Sequence, residues 1–386
     1  MKKKKKEKKD KAMDNFVSLA KSIESKTVED MCTEFKLNHK PGCEELNRDT
    51  RYVLSFNVPP NSDFYDASRV EMPGIDCKFI AAAAPSRDVL SMETFWRLVY
   101  DANVANIFYL EPAGKDFADL AHFIPLEPQA AKDYGKMFIN NKKVERNPKE
   151  YQAVVEVLPE GCSNSIIVRF IQGRQWPDYV ARKYRRIALH LVRTLKNEKS
   201  TSLIVCKDGR GHSGQFILLH SVISETVATG PEFKLKMPES LASLRQSRWG
   251  AIQTEQQYLL MYMLSLDFLA CKSKQFEPQA RNLERAILDY LKKQKEEKKE
   301  KENSKDKEKT KEDKKEEKKE EKKEEKKEEK KEEKKEEKKD EKKEEKKEEK
   351  KEEKKEEKKE KKKEKELEHK EAATQFGHVG KEPEKE

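Results

Sequence analysis

The pattern of apolar and polar positions separates a central region with buried elements from two ends that have no apolar face. One helix is predicted from residue 16 to about residue 35 by apolar residues at helical spacing: Phe16, Leu19, Ala20 and Ile23. Short apolar runs at 107–110 and 203–205 predict buried strands. No apolar run reaches 18 residues, so the pattern predicts no membrane-spanning segment.

Residues 203–219 combine a strand, a glycine-rich loop and a helix. The strand at 203–205 is followed by Gly209, Gly211 and Gly214, and an apolar helix opens at 216–219. Successive backbone N–H groups converge in such a loop, and the following helix adds positive potential at its N-terminus. The segment therefore predicts an anion-binding cradle, with the thiol of Cys206 at its floor.

The same glycine spacing also fits a dinucleotide-binding loop. That motif needs a second strand ending in an acidic residue about 20 positions further on. Residues 229–232 read instead as a turn, and a cysteine three residues before the first glycine has no role in a dinucleotide site. We therefore set this alternative aside.

The loop resembles the phosphate-binding loop of the cysteine-dependent protein tyrosine phosphatases, in which an arginine follows the cysteine after five residues. The residues shared with that family are Cys206, Gly209, Gly211, Ser213, Gly214 and Phe216. Two positions depart from it, because Val205 replaces a histidine and His212 replaces the arginine.

Further segments resemble the family in the expected order. They lie at 63–68, 79–85, 95–104, Trp176-Pro177-Asp178 and 244–258, so the resemblance covers about residues 30–285. It implies an α/β fold: a single domain with a central twisted mixed sheet flanked by helices, between disordered charged tails.

The resemblance also implies roles for individual residues. Cys206 would attack phosphorus, Asp178 would protonate the leaving oxygen, and Ser213 would assist breakdown of the thiophosphate. Both residues of the glutamine loop, Gln253 and Gln257, are present, and the second helps to place the hydrolytic water in the family. The phosphate-binding loop would comprise Lys207, Asp208, Gly209, Arg210, Gly211 and Gly214. No metal and no other cofactor is expected.

Three substitutions argue against catalysis. His212 is shorter than arginine, mostly neutral at pH 7, and lacks the planar fork that grips two phosphate oxygens. Asp208 adds negative charge to the loop, and Asp49 stands where the family has a tyrosine that stacks on phosphotyrosine, a role that Tyr52 fills only if that loop is re-registered. We expect the Cys206 thiol to be more acidic than a free cysteine but less acidic than in an active member.

Composition places almost all of the charge in the tails. The chain has 386 residues and a net charge of +10. Residues 1–12 carry a net +6 and predict a disordered basic arm. Residues 293–386 form a low-complexity tail whose Lys-Lys-Glu-Glu repeat places like charges at i,i+4, which predicts a disordered or transiently helical segment. The domain at 13–292 is nearly neutral, so no specific nucleic-acid binding is expected.

These observations leave three interpretations of function. The favoured one is a pseudophosphatase that binds a phosphorylated or acidic partner, such as a phosphotyrosine protein, or acts as a general interaction module. The others are a weak phosphatase acting on phosphotyrosine or a phosphoinositide, and a structural remnant without binding or activity. Six cysteines without metal spacing and without a signal peptide predict a reducing compartment, the cytoplasm or the nucleus. We expect a monomer.

Overall fold

The chain divides into two units, Met1–Gln294 and Lys295–Glu386. The predicted Lys/Glu tail lies outside the described residues from 301 onward, and residues 295–300 of the second unit are helical. The computed structural model describes residues 2–38, 47–58, 63–111, 119–146, 150–173, 176, 182–195, 199–228 and 236–300.

A single mixed sheet organises the first unit. Within the described ranges it has nine strands in the order β1-β2-β3-β9-β4-β8-β7-β6-β5. The central strands β3, β9, β4 and β8 are parallel to one another, and the outer pairs are antiparallel. The strands are β1 (Arg51–Val53), β2 (Phe64–Val70), β3 (Lys78–Ala83), β4 (Asn106–Tyr109), β5 (Ala131–Tyr134), β6 (Met137–Arg146), β7 (Glu150–Pro159), β8 (Ile166–Gly173) and β9 (Thr201–Cys206).

Helices cover both faces of this sheet, which confirms the predicted fold class. They are α1 (Lys2–Glu24), α2 (Val28–Leu37), α3 (Val89–Asp101), α4 (Arg182–Thr194), α5 (Gly211–Ala228), α6 (Met237–Ser247), α7 (Glu255–Lys272) and α8 (277–294), with a 3-10 turn at Lys274–Phe276. None of the helices in the described ranges has the length and apolar character needed to cross a bilayer.

Strand β9 shows how the apolar pattern builds two cores. Leu203 and Val205 pack into the core beneath α3, whereas Ile204 and Cys206 face the core beneath α5 and α7. Side chains alternate between the two faces of a strand. A continuous apolar run is therefore buried on both faces, as the sequence predicted.

The N-terminal helix differs from the sequence prediction at both of its ends. The helix predicted from residue 16 to about 35 is two helices, because a capping box formed by Thr27 and Asp30 starts α2 and α1 has ended at Glu24. The predicted apolar face of α1 is buried. Residues 2–12, for which we expected a disordered arm, are the first turns of α1, since lysine has good helix propensity and the segment continues a packed helix.

The parallel strands fix where a site belongs. Ala83 of β3 is paired with Cys206, and Tyr109 of β4 is paired with Val205. The carboxyl ends of β3, β4, β8 and β9 therefore meet at one edge of the sheet. Ligands bind outside such an edge in open α/β sheets.

Candidate functional site

The turn between β9 and α5 requires glycine at position 209. Cys206 ends β9 with 2% of its surface exposed, and its carbonyl accepts hydrogen bonds from the N–H groups of Gly209 (3.2 Å) and Ala84 (2.8 Å). Gly209 has φ +65°, and a Cβ there would lie 2.4 Å from the carbonyl carbon of Ala82. Only glycine combines this left-handed conformation with so close an approach to β3.

The two predicted glutamines lie directly over the start of α5. A Cβ at Gly211 would meet Gln253 Oε1 at 2.7 Å and Gln257 Nε2 at 2.8 Å. The N–H of Gln253 donates to Gln257 Oε1 at 2.7 Å, and Thr254 caps the helix that carries Gln257. The structure thus brings the glutamine loop together with the phosphate-binding loop.

Arg248 holds the loop in its shape, a role that sequence reasoning missed. Its side chain is 1% exposed and donates to the carbonyls of Asp208 (3.0 Å) and Gly209 (3.2 Å). It is also ion-paired with Asp66 of β2 at 2.7 Å. Because the guanidinium binds these two carbonyls, it fixes the peptide units at 208 and 209. The match of 244–258 to the family was the available signal, although it did not give this contact.

The carboxylate of Asp208 occupies the cradle. Its Oδ1 accepts the N–H groups of Arg210 at 3.0 Å and Gly211 at 3.4 Å, and its Oδ2 accepts the side-chain amide of Gln253. Burial acts to raise the pKa of Asp208, but these hydrogen bonds outweigh burial and hold that pKa below its usual value. Asp208 is therefore an anion at neutral pH, and it uses amides that the family loop offers to phosphate.

A second carboxylate reaches the loop from the neighbouring strand. Glu111 follows β4, and its Oε1 accepts the backbone N–H of Lys207 at 2.6 Å. Sequence reasoning missed Glu111 because this residue lies in none of the segments that resemble the family. Its place directly after a strand parallel to β9 was the signal that could have found it.

These carboxylates change the chemistry expected of Cys206. Burial raises the pKa of the thiol, the hydroxyl and N–H of Ser213 oppose that rise, and Asp208 and Glu111 add to it. The Cys206 Sγ lies 3.6 Å from Asp208 Oδ1. The expectation of a thiol more acidic than free cysteine is therefore wrong, because burial, together with two nearby anions, outweighs the hydrogen bonds from Ser213.

The remaining predicted loop residues lie around this centre. His212 is in the first turn of α5 and half-buried, and Ser213 is buried with its hydroxyl donating to the Ile204 carbonyl at 3.1 Å. Lys207 is exposed, and the guanidinium of Arg210 lies over the Trp249 ring at 5.0 Å. A Cβ at Gly214 would approach Ile252 N to 2.9 Å, so this glycine permits close packing of α5 on the glutamine loop.

The remaining predictions concern positions outside the loop at 206–214. Asp178 lies outside the described residues, although Trp176 before it is buried and donates through Nε1 to Gln215 of α5 at 3.0 Å. Tyr52 does not take the place of a stacking tyrosine. Tyr52 is a buried residue of β1, and the guanidinium of Arg69 lies 4.4 Å from the centroid of its ring. Asp49 is exposed in the turn before β1.

A cysteine at the floor of an amide-lined loop, where a parallel strand meets a helix, defines the class of cysteine-dependent phosphatase folds. The profile of the family described as Protein-tyrosine phosphatase matches residues 44–267, more than half of the chain. The chain therefore belongs to the protein-tyrosine phosphatase family.

Individual relatives agree with this assignment. Over 238 residues the chain is 26% identical to the Caenorhabditis elegans protein named "Putative tyrosine-protein phosphatase C15H7.3", covering 60% of this chain and 58% of that protein. Over 233 residues it is 26% identical to human Receptor-type tyrosine-protein phosphatase epsilon, covering 58% of this chain and 32% of that protein. The chain thus spans less than two thirds of either relative.

Proposed function

We propose that this protein is a pseudophosphatase: a protein-tyrosine phosphatase domain that works as an interaction module and does not hydrolyse phosphotyrosine at a useful rate. The observation that carries the proposal is the Asp208 carboxylate, which accepts two amides of the cradle and the side chain of Gln253. A phosphate group entering the cradle would have to displace an anion that is already hydrogen-bonded there.

The charge around the thiol supports the same conclusion. Catalysis in this family needs a thiolate and a positive centre that stabilises the phosphoryl oxygens. Here burial, Asp208 and Glu111 raise the pKa of Cys206, so the thiol is protonated at neutral pH. His212 stands in place of the arginine, and losing one preorganised transition-state donor costs about 2.7–4 kcal/mol. The two effects act on different steps, the first on the nucleophile and the second on the transition state.

Partner and location follow from the same reasoning. Because the Asp208 carboxylate occupies the cradle, we propose that binding to a partner protein uses the outer surface of the domain and does not require a phosphotyrosine.

The five cysteines in the described ranges, which include Cys77 and Cys206, form no disulfide. This supports a reducing location, the cytoplasm or the nucleus. We propose a monomer.

The test is a turnover assay of the full chain on a phosphotyrosine peptide and on a soluble phosphoinositide. Cys206→Ser is the matched control, because it removes the nucleophile with little change in volume. We expect equal rates for the two proteins, at least about a thousandfold below those of an intact family member. A rate for the natural chain well above that of Cys206→Ser would favour the weak phosphatase instead, and the substrate that gives this rate would name its class.

A further inference from the structure

A cavity of about 530 Å³ lies away from the cradle, between α4, α5, α7 and the loop at 74–77. Its lining is mixed: Ile75, Val192, Ile223 and Phe268 are apolar, whereas His220, Ser224 and the residues at its rim are polar or charged. Val192 and Phe268 are each only 2% exposed, whereas Val227 on the α5 side is 39% exposed. Volumes of about 300–1,000 Å³ are typical of small-molecule sites, so the cavity has room for an apolar ligand body.

The rim of this cavity is cationic. Arg193, Lys199 and Lys272 line it, and Asp76 is the single acidic residue among its described lining. Lys199 is paired with Asp76 at 3.9 Å, and Lys272 lies over the Phe268 ring at 5.2 Å. Arg193 has no ion-pair partner among the described residues and is exposed. The rim thus offers positive charge next to the apolar residues of the lining.

A buried histidine and a cysteine lie side by side on the cavity wall. His220 is 4% exposed, and its Nε2 lies 3.8 Å from Cys77 Sγ. Burial lowers the pKa of His220 to about 4, so the imidazole carries no charge at neutral pH. The imidazole therefore adds no charge to the cavity wall, and the positive charge of this cavity lies at its rim. This arrangement favours a ligand with one anionic end outward and an apolar body inward.

We propose that this cavity binds a monocarboxylate with an extended apolar body, the chemistry of a medium-chain fatty acid. The carboxylate lies against Arg193 and Lys272, and the hydrocarbon chain packs against Ile75, Ile223 and Val227, the apolar lining residues that keep exposed surface. Cys77, with a partly exposed side chain on the wall, lies beneath the bound ligand and is shielded by it. This site is separate from the cradle and does not depend on whether the cradle is catalytic.

Calorimetric titration of the full chain with decanoate, below its micelle concentration, tests the proposal directly. We expect one saturable site, with affinity falling about fourfold for each methylene removed in the series decanoate, nonanoate and octanoate. Decanol, which keeps the chain and lacks the charge, should bind several times more weakly. Absence of saturable binding, or affinity independent of chain length, would overturn the proposal.

Three variants locate the binding. Val227→Trp adds bulk at the exposed edge of the cavity without disturbing buried residues, and should abolish binding. Arg193→Glu should weaken it about tenfold, whereas Arg281→Glu, an equal charge change at an exposed position of α8, should leave it unchanged. Equal affinity of the Arg193 and Arg281 variants would overturn the assignment of the carboxylate to this rim.

Alkylation of Cys77 gives a readout that does not rely on affinity. Its rate of reaction with iodoacetamide, followed by peptide mass spectrometry, should fall severalfold when decanoate saturates the site. The exposed Cys271 serves as the internal control and should react at an unchanged rate. Decanoate that binds without slowing the alkylation of Cys77 would show that the ligand lies elsewhere, and the proposal would be wrong.

Discussion

Replacing Asp208 with alanine is expected to unmask an oxyanion site. In the natural chain the Asp208 carboxylate holds the N–H groups of Arg210 and Gly211, at 3.0 Å and 3.4 Å, together with the Gln253 amide. Alanine at this position frees all three donors while the turn, which is fixed by Gly209 and Arg248, keeps its shape. A tetrahedral oxyanion such as tungstate can then accept these hydrogen bonds.

The size of the effect follows from these contacts. Hydrogen bonds to a charged group contribute about 1.5–3 kcal/mol each, and two unit charges at about 4 Å repel by about 4 kcal/mol at an effective dielectric constant of 20. Screening by solvent and the remaining Glu111 reduce the sum. We expect tungstate affinity to rise by about 2–4 kcal/mol, which is roughly thirtyfold to several hundredfold. Asp208→Asn keeps the acceptor oxygen and removes only the charge, so about tenfold is expected.

Calorimetry with tungstate measures this series, and the fluorescence of Trp249, which contacts Arg210 at the loop, reports it independently. Because Asp208 also satisfies amides at the start of α5, its loss should cost about 0.5–2 kcal/mol of folding free energy. Urea unfolding of each variant separates that loss from the gain in binding. The reasoning is refuted if Asp208→Ala binds tungstate no more tightly than the natural chain.

Three further outcomes can be measured. The alkylation rate of Cys206 should rise with pH through a midpoint above that of free cysteine, and Asp208→Asn should lower that midpoint; a midpoint below free cysteine would contradict the electrostatics described above. Gly209→Ala should lower the free energy of unfolding, measured in urea, by at least about 3 kcal/mol. Gly161→Ala is the control, because Gly161 has φ +75° with open space where a Cβ would lie, and it should lower that free energy by about 1–2 kcal/mol. Equal losses would show that contact of residue 209 with β3 is unimportant. Arg248→Met should destabilise the domain by about 3 kcal/mol, since it leaves buried carbonyls unpaired. An unchanged unfolding midpoint would show that Arg248 does not hold the loop in its shape.

The fold was predictable because apolar runs and glycine positions set its elements, and the family-like segments follow one another in the expected order. The apolar run at 203–205, the glycines after it and the helix at 216 place Cys206 at the end of a buried strand, and the structure has this arrangement. The helix boundary near Thr27 was missed, because apolar spacing continues across it. The capping box of Thr27 and Asp30 marks the start of a new helix there, and it is a stronger boundary signal than periodicity.

The electrostatics of the site were less predictable from the chain. Asp208 was recognised as an unfavourable charge, yet its hydrogen bonds with Gln253 and the loop amides depend on how two distant segments meet. Glu111 could be identified only from its position beside β9, which strand order determines. The rise in the pKa of Cys206 combines both carboxylates with burial, and motif matching reports none of these three effects.

The structure also separates the shape of the loop from the charge inside it, two properties that a motif match does not distinguish. Gly209, the Arg248 guanidinium and the packing of Gln257 against Gly211 fix the shape of the loop, and none of these contacts involves a phosphate. Catalysis depends instead on the charge inside that shape, where Asp208 and Glu111 contribute carboxylates and His212 stands in the place of the arginine. The shape of the loop is therefore fixed whether or not the protein turns over substrate. For this family member, the fold is evidence about ancestry, and the charge balance at Cys206 is the evidence that bears on activity.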